Sequence, residues 1–385
     1  MIIHVLTTRW DGRWRAVGCG PVVCPTAAAY LHASNSPLAL CLQDMGLAQI
    51  DVPKPAGIYG YSGDAGNIST PNLAKYASEG LLFQTWYSSF HYCSPSRGSM
   101  MTGRLPVRLG IGIPPCDYAP SAYKGQNMCN GVFTAESVGG LPLNETTTAE
   151  ALSAAGYATA MVGKWHLGQR DEYLPTSRGF SQYLGIPFSQ DMGISFWRHS
   201  PHLTAAPPFQ PVPTPTPLNH SRYLATQLTV ILQETHSSFY KETHSPEQVP
   251  LPLLNGTTVV EQPVGLHQLV AKYVQFATDF INAQAEAGKP FYLYVPFNHI
   301  HAPNSCSPGF CGKAPRGPIG DAVEEMDWAV GQIMSTLKSA GVDENTLTFF
   351  TSDNGAPLGN PDGLGDSDYF GNLPLRGGKA QVPTP

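Results

Sequence analysis

The chain has 385 residues, enough for a large buried core and for two to three structural units by the usual domain size. Apolar residues make up 42% and charged residues only 13%, with 39 glycines and 36 prolines, which describes a loop-rich globular protein. With 22 basic and 28 acidic side chains the formal charge is −6, so there is no bulk electrostatic reason to expect nucleic acid or an anionic membrane as partner, and a small substrate is the default.

No run of apolar residues is long enough to predict a membrane span. Residues 1–36 show neither a strand nor a helix period and read as an irregular leader. Arg9, Arg13 and Arg15 ahead of an Ala/Val-rich part loosely resemble a secretory signal, interrupted by Gly18, Gly20, Pro21 and Pro25. Four N-x-[ST] sequons, at Asn67, Asn144, Asn219 and Asn255, and eight cysteines fit an oxidising, glycosylating compartment, so the expectation is the secretory pathway, lysosomal or extracellular.

From Pro37 the pattern becomes regular. Leu38 to Leu42 is a short apolar run that reads as a buried parallel strand delivering Gln43 and Asp44 at its tip. Thr70 as N-cap, Pro71 as first helical residue and Gly80 just past the end bracket a helix over Asn72 to Glu79. Cys93-Ser94-Pro95-Ser96-Arg97, followed by Thr102-Gly103-Arg104, suits a turn entering a helix.

Thr147 or Thr148 starts another helix through Ala155, closed by Gly156; the strand Ala158 to Val162 then leads into Gly163-Lys164-Trp165-His166-Leu167-Gly168. Pro201 to Pro217 is Pro/Thr-rich and reads as an extended surface loop. A long helix, Leu266 to Ala287, ends at Gly288 and precedes the strand Pro290 to Val295, whose tip is Asn298-His299-Ile300-His301. Asp321 to Ala340 puts Val323, Met326, Val330, Ile333 and Leu337 on one helical stripe; Gly341 and the strand Thr346 to Thr351 run on into Asp353-Asn354. Cys306 with Cys311, and Cys116 with Cys129, look like loop-closing disulfides, and Gly363, Gly365, Gly377 and Gly378 read as turns and not as a phosphate loop.

Helices alternating with buried strands predict an α/β sandwich around a mostly parallel sheet, where ligands collect beyond the carboxyl ends of the strands. The polar tips named above then converge on one edge. In a chain of 385 residues, C-x-P-S-R arises by chance with odds of roughly 0.2% at ordinary residue frequencies, so the pentapeptide calls for a chemical explanation.

Cys93 to Arg97, with Gly103-Arg104 behind, resembles the signature of type I sulfatases, and Lys164-Trp165-His166 resembles the second signature of that family. Leu105-Pro106-Val107-Arg108, Gly185 to Ser189 and Thr351 to Gly355 match the wording of its arylsulfatase A-like members, and the likeness runs from about Pro37 to Lys379. The resemblance implies an alkaline-phosphatase-like fold and hydrolysis of a small-molecule, saccharide or lipid sulfate ester to an alcohol and sulfate. It also implies Ca²⁺ and a formylglycine made from Cys93 by a formylglycine-generating enzyme. By the same resemblance Arg97 holds the aldehyde hydrate, Lys164 and His166 contact that group and the sulfate, and Ser189 sits nearby. His301, in His301-Ala302-Pro303, matches the histidine near the leaving oxygen, so of the alternating pair His299 and His301 it is the one expected to face the site. Lys379, after Arg376-Gly377-Gly378, matches a sulfate-binding lysine.

The implied calcium ligands are Gln43, Asp44, Asp353 and Asn354. The family pattern has two adjacent aspartates where Gln43-Asp44 stands, so this set carries two negative charges in place of three and weaker metal binding is expected. Family members also continue past the lysine aligned with Lys379 into a smaller C-terminal subdomain, which makes the catalytic domain, 37–385, read as incomplete. A phosphate or phosphonate ester hydrolase of the same fold, and a catalytically impaired fragment, are the alternatives.

Overall fold

The structure, a computed structural model, describes residues 5–7, 36–46, 49–52, 68–83, 86–111, 128–129, 131–135, 137–192, 250–357, 372 and 378–379. The Pro-rich stretch 201–217, Cys116, Asn67, Asn219, Gly363, Gly365 and Gly377 lie outside the described residues.

In chain order the strands are β1 Val5–Thr7, β2 Ser36–Leu42, β3 Leu81–Leu82, β4 Met128–Cys129, β5 Val132–Phe133, β6 Ala158–Val162, β7 Gln182–Gly185, β8 Leu253–Asn255, β9 Thr258–Glu261, β10 Phe291–Pro296 and β11 Thr346–Ser352. The α-helices are α1 Pro71–Glu79, α2 Cys93–Thr102, α3 Thr148–Ala154, α4 Leu269–Glu286 and α5 Gly317–Ser339. Nine strands form one sheet in the order β3-β1-β11-β2-β10-β6-β7-β8-β9. The central five, β11 to β7, are parallel, and antiparallel strands close both edges. This is the mostly parallel α/β sheet expected from the alternation of helix and strand.

The strands are apolar on both sides, and their two-residue period sorts them. Leu38 and Leu40 of β2, with Phe291, Leu293 and Val295 of β10, belong to the core beneath α1, α4 and α5. Cys41, Tyr292, Tyr294 and Met161 turn to the opposite face and pack with Met101 of α2, Ala149 and Leu152 of α3, and Trp165.

Local signals explain most element ends. Thr147 caps α3 as one half of a capping box, its hydroxyl accepting from the Glu150 amide at 3.1 Å while the Glu150 carboxylate accepts from the Thr147 amide at 2.7 Å. Gly103 adopts φ +69 after α2 and returns its amide to the Ser99 carbonyl at 2.7 Å.

Some expectations need correction. Thr70 does not cap α1 with its side chain; its hydroxyl accepts from the Asp51 amide, and Asp327 of α5 instead accepts from the Asn72 and Leu73 amides at 3.1 and 2.8 Å. Gly80 is extended and not left-handed, because the chain passes straight into β3. The last long helix begins at Gly317, four residues before the expected Asp321, whose carboxylate is taken up by the Gly312, Lys313 and Ala314 amides. Of the residues read as an irregular leader, Val5–Thr7 pair with β11 and β3, a strand too short to show a period.

Candidate active site

Parallel register decides what meets at the sheet's carboxyl edge. The β2–β11 ladder runs Thr346↔Ser36 to Ser352↔Leu42, so the next residues out, Gln43-Asp44 and Asp353-Asn354, face each other. β10 flanks β2 on its other side, and the pairing continues past the strand ends: Gln43 donates its amide to His299 O at 2.9 Å and Ile300 donates to Gln43 O at 3.0 Å. β6 and β7 extend likewise through Trp165 N to Ile186 O and His166 N to Pro187 O, which places Lys164, His166 and Ser189. Lys379 joins through its amide to Ala356 O at 3.0 Å, just beyond β11.

Two glycines permit this close approach. A Cβ on Gly163, at φ +134, would stand 2.0 Å from Pro296 O, where Lys164 N now donates at 2.8 Å. A Cβ on Gly185 would fall 1.8 Å from Gly163 O. Among the described residues the non-glycine residues with positive φ are Asp44 and His166, at +58 and +63, both in this site.

Cys93 is the first residue of α2, with its thiol buried. Its Sγ accepts from Gln43 Nε2 at 3.4 Å, and Cys93, Asp44 and His301 offer ligand atoms within 4.8 Å of one another. Arg97, one turn along α2, is clamped by Asp353, with Nε and Nη2 each 2.9 Å from Oδ2, while Nη1 donates to Lys164 O at 2.6 Å. Lys164 Nζ donates to Ser189 Oγ at 2.9 Å, and Lys379 Nζ donates to Asp44 Oδ2 at 2.7 Å and to His301 Nε2 at 2.8 Å. His166 Nε2 lies 2.7 Å from Phe133 O, a backbone partner that no sequence signal marks, and its Nδ1 is buried without a partner. His299 turns the other way, to Glu325 of α5 at 3.3 Å. The structure therefore brings Gln43, Asp44, Cys93, Arg97, Lys164, His166, Ser189, His301, Asp353, Asn354 and Lys379 to one edge, all buried except the partly buried Lys379.

Burial and neighbours set the charge states. Burial pushes the Cys93 thiol up, with Lys164 and Lys379 opposing. Burial also acts to raise Asp44, but Lys379 and His301 outweigh it and hold the carboxyl at about 2. Lys379 is correspondingly raised, its desolvation overcome by Asp44. Burial lowers Lys164, and lowers His166 well below the usual imidazole range with help from Lys164 and Arg97. His301 is lowered by burial and by Lys379. Arg97 is tied to Asp353 and Lys379 to Asp44, with Asp191 a third carboxylate 3.9 Å from His301, while Lys164 donates to the neutral Ser189 hydroxyl and so keeps its charge for an anionic group.

A cation site also fits. Asn354 Nδ2 donates to Asp44 Oδ1 at 2.7 Å and the Asp44 amide to Asp353 Oδ1 at 3.2 Å, so the two strand tips are in contact. Gln43 Oε1 and Asn354 Oδ1 are buried with no hydrogen-bond partner. Two carboxylates and two unsatisfied amide oxygens make an all-oxygen donor set, the kind a hard divalent cation takes. Sequence reading did not single out Gln190 and Asn298 as site residues: Gln190 Nε2 donates to His301 O at 2.6 Å, and Asn298 Nδ2 donates to Gln190 Oε1.

Comparison with known proteins agrees with this geometry. The sulfatase family model matches residues 53–384. The chain is 36% identical to arylsulfatase A of Bos taurus over 332 residues, covering 85% of this chain and 54% of that protein. It is 38% identical to arylsulfatase G of Rattus norvegicus over 287 residues, 74% of this chain and 46% of that one. Among solved structures, a sulfatase from Pseudoalteromonas sp. superposes with a TM-score of 0.57 at 27% identity, covering 85% of this chain and 56% of its own. The chain spans about half the length of the curated relatives it matches. On the matched residues and the identity to both arylsulfatases, this chain belongs to the sulfatase family.

Proposed function

We propose that this chain carries the catalytic site of a sulfatase that hydrolyses a sulfate ester to an alcohol and sulfate, with Cys93 converted to formylglycine by a formylglycine-generating enzyme. The observation that carries the reading is the seat of Cys93, a helix-start thiol packed against Asp44 and His301 and surrounded by Arg97, Lys164 and Lys379. In the structure the thiol Sγ stands where the aldehyde-derived group would stand. Hydrated, that group supplies two hydroxyls on one carbon, one to attack sulfur and one whose later deprotonation lets sulfate leave. Gln43, Asp44, Asp353 and Asn354 would hold Ca²⁺, which supplies fixed positive charge for the oxygens around sulfur.

The remaining work falls to the chain's own side chains. Lys164 and Lys379 oppose the charge of the sulfate; Ser189 orients Lys164 through its hydroxyl. His166 is held neutral by burial, with Nε2 on Phe133 O, which leaves Nδ1 as a free acceptor for a hydroxyl proton at the nucleophile. His301 donates Nδ1–H to Ala302 O at 2.6 Å and turns its Nε2 lone pair toward Lys379, whose ammonium donates to it at 2.8 Å and holds the proton that can pass to the departing oxygen. Arg97, fixed by Asp353, keeps the start of α2 and the Lys164 segment in register.

No helix among the described residues is long and apolar enough to cross a membrane. The Cys306–Cys311 disulfide is formed, and Asn144 and Asn255 lie exposed in their sequons, which supports a secretory, lysosomal or extracellular glycoprotein. The reading is tested by release of sulfate from an aryl sulfate by chain co-produced with the modifying enzyme, alongside a Cys93→Ala control. Turnover that survives in the control, or a preference for phosphate esters over sulfate esters, would refute it.

A further inference from the structure

We propose that Gln190 is a positioning residue that sets the tautomer and aim of the His301 imidazole by clamping the backbone on both sides of Ala302. The segment from Asn298 to Pro303 follows β10 and keeps only the His299–Ile300 pairing with Gln43 from the sheet, so its other carbonyls need donors of their own. Four of the six carbonyls are met without Gln190. Asn298 O takes the His301 amide at 3.3 Å, His299 O the Gln43 amide at 2.9 Å, Ile300 O the Asn304 Nδ2 at 2.8 Å, and Ala302 O faces His301 Nδ1 at 2.6 Å. The remaining two, His301 O and Pro303 O, are both served by the single Nε2 of Gln190, at 2.6 and 3.0 Å. Its Oε1 accepts from Asn298 Nδ2, so both ends of the Gln190 carboxamide are used, at 2% exposure.

The clamp matters because of what lies between its two jaws. The Ala302 carbonyl sits between the two that Gln190 holds, and it is the acceptor that draws the proton of His301 to Nδ1. That leaves Nε2 as the lone-pair nitrogen, 2.8 Å from Lys379 Nζ and 3.5 Å from both Ser189 Oγ and Asp44 Oδ2. Ser189 and Gln190 are consecutive, so one short turn touches the ring through its first residue and the ring's backbone through its second. An apolar residue at 190 would fill the space and leave two buried carbonyls unpaired, and the peptide planes flanking Ala302 would turn to find other donors.

The activity arm of the test rests on the proposed sulfatase reading; the spectroscopic arm does not. Imidazole nitrogen shifts of His301 are compared in the unconverted thiol form of wild type, Gln190→Met and Gln190→Glu, the last keeping the acceptor for Asn298 while losing both donors. The expected result is an Nδ1–H imidazole in wild type and a mixture of tautomers in both variants, with thermal unfolding still cooperative. In the converted enzyme, kcat should fall roughly tenfold to a hundredfold while KM stays within about threefold, the loss being greater for poor leaving groups than for good ones. In a His301→Ala background the same change should cost almost nothing more. An unchanged His301 tautomer in either folded variant, or a loss that adds in full to that of His301→Ala, overturns the proposal. Absence of sulfate turnover in wild type would count against the sulfatase reading alone and leave the imidazole comparison to decide this one.

Discussion

Gln43 is the residue at which this chain departs from the pattern it otherwise follows. Its amide does two things that an aspartate could not combine: Nε2 donates to Cys93 Sγ, and Oε1 stays neutral beside Asp44 and Asp353. A third carboxylate, at that position, adds attraction for a divalent ion, so Gln43→Asp should tighten Ca²⁺ binding by roughly tenfold or more in calorimetry. Unchanged affinity would mean that position 43 is not a ligand. Arg97 and Asp353 form a fully buried ion pair, and removing one partner leaves a charge with no counterion. Arg97→Ala should therefore cost about 3–5 kcal/mol of stability in denaturant unfolding as well as activity; a loss under about 1 kcal/mol, the range of an exposed pair, would contradict this placement.

The elements succeed where their ends are written locally. Thr147, one of the two expected starts of α3, is its cap, and Glu150 completes the capping box; Thr147→Ala should lower stability by about 1 kcal/mol in chemical unfolding, with no change in substrate affinity. Of the strands that carry the site, β2, β6, β10 and β11 were legible because a buried parallel strand is a short run ending in polar residues, whereas the four-residue β7 was too short to show one. The cap of α1 was not legible. Asp327 lies on α5, more than 250 residues along the chain, and only the packing of α1 on α5 brings it to the Asn72 and Leu73 amides. Gln190 escaped for a similar reason: a glutamine beside a motif serine looks solvated until the backbone of a distant loop folds against it. The signature residues were legible because their types and offsets recur together, whereas the β11-β2-β10-β6-β7 order that makes them neighbours is a property of the assembled sheet.

At the scale of the molecule, five parallel strands point their carboxyl ends the same way, and the active edge is the sum of what those ends carry. The loop that follows β10 is held down at its far end by the Cys306–Cys311 disulfide and by Glu325 and Asp321 of α5, which accept from the Ser307 and from the Gly312, Lys313 and Ala314 amides. Closing so short a loop constrains the unfolded chain only modestly, by about 2 kcal/mol in the chain-entropy account. Replacing both cysteines by serine should lower the thermal midpoint by a few degrees and leave Ca²⁺ affinity as it was; loss of Ca²⁺ binding would show that the staple reaches the metal edge.

In the proposed reaction Cys93 is the source of the group that attacks sulfur. Mass spectrometry of the Cys93-containing peptide, from chain produced with a formylglycine-generating enzyme, reads that directly. The predicted result is the mass decrease of thiol-to-aldehyde conversion at Cys93, with Cys41 left as a thiol. An intact thiol at Cys93 under conditions that convert a known sulfatase substrate of the same enzyme would contradict it.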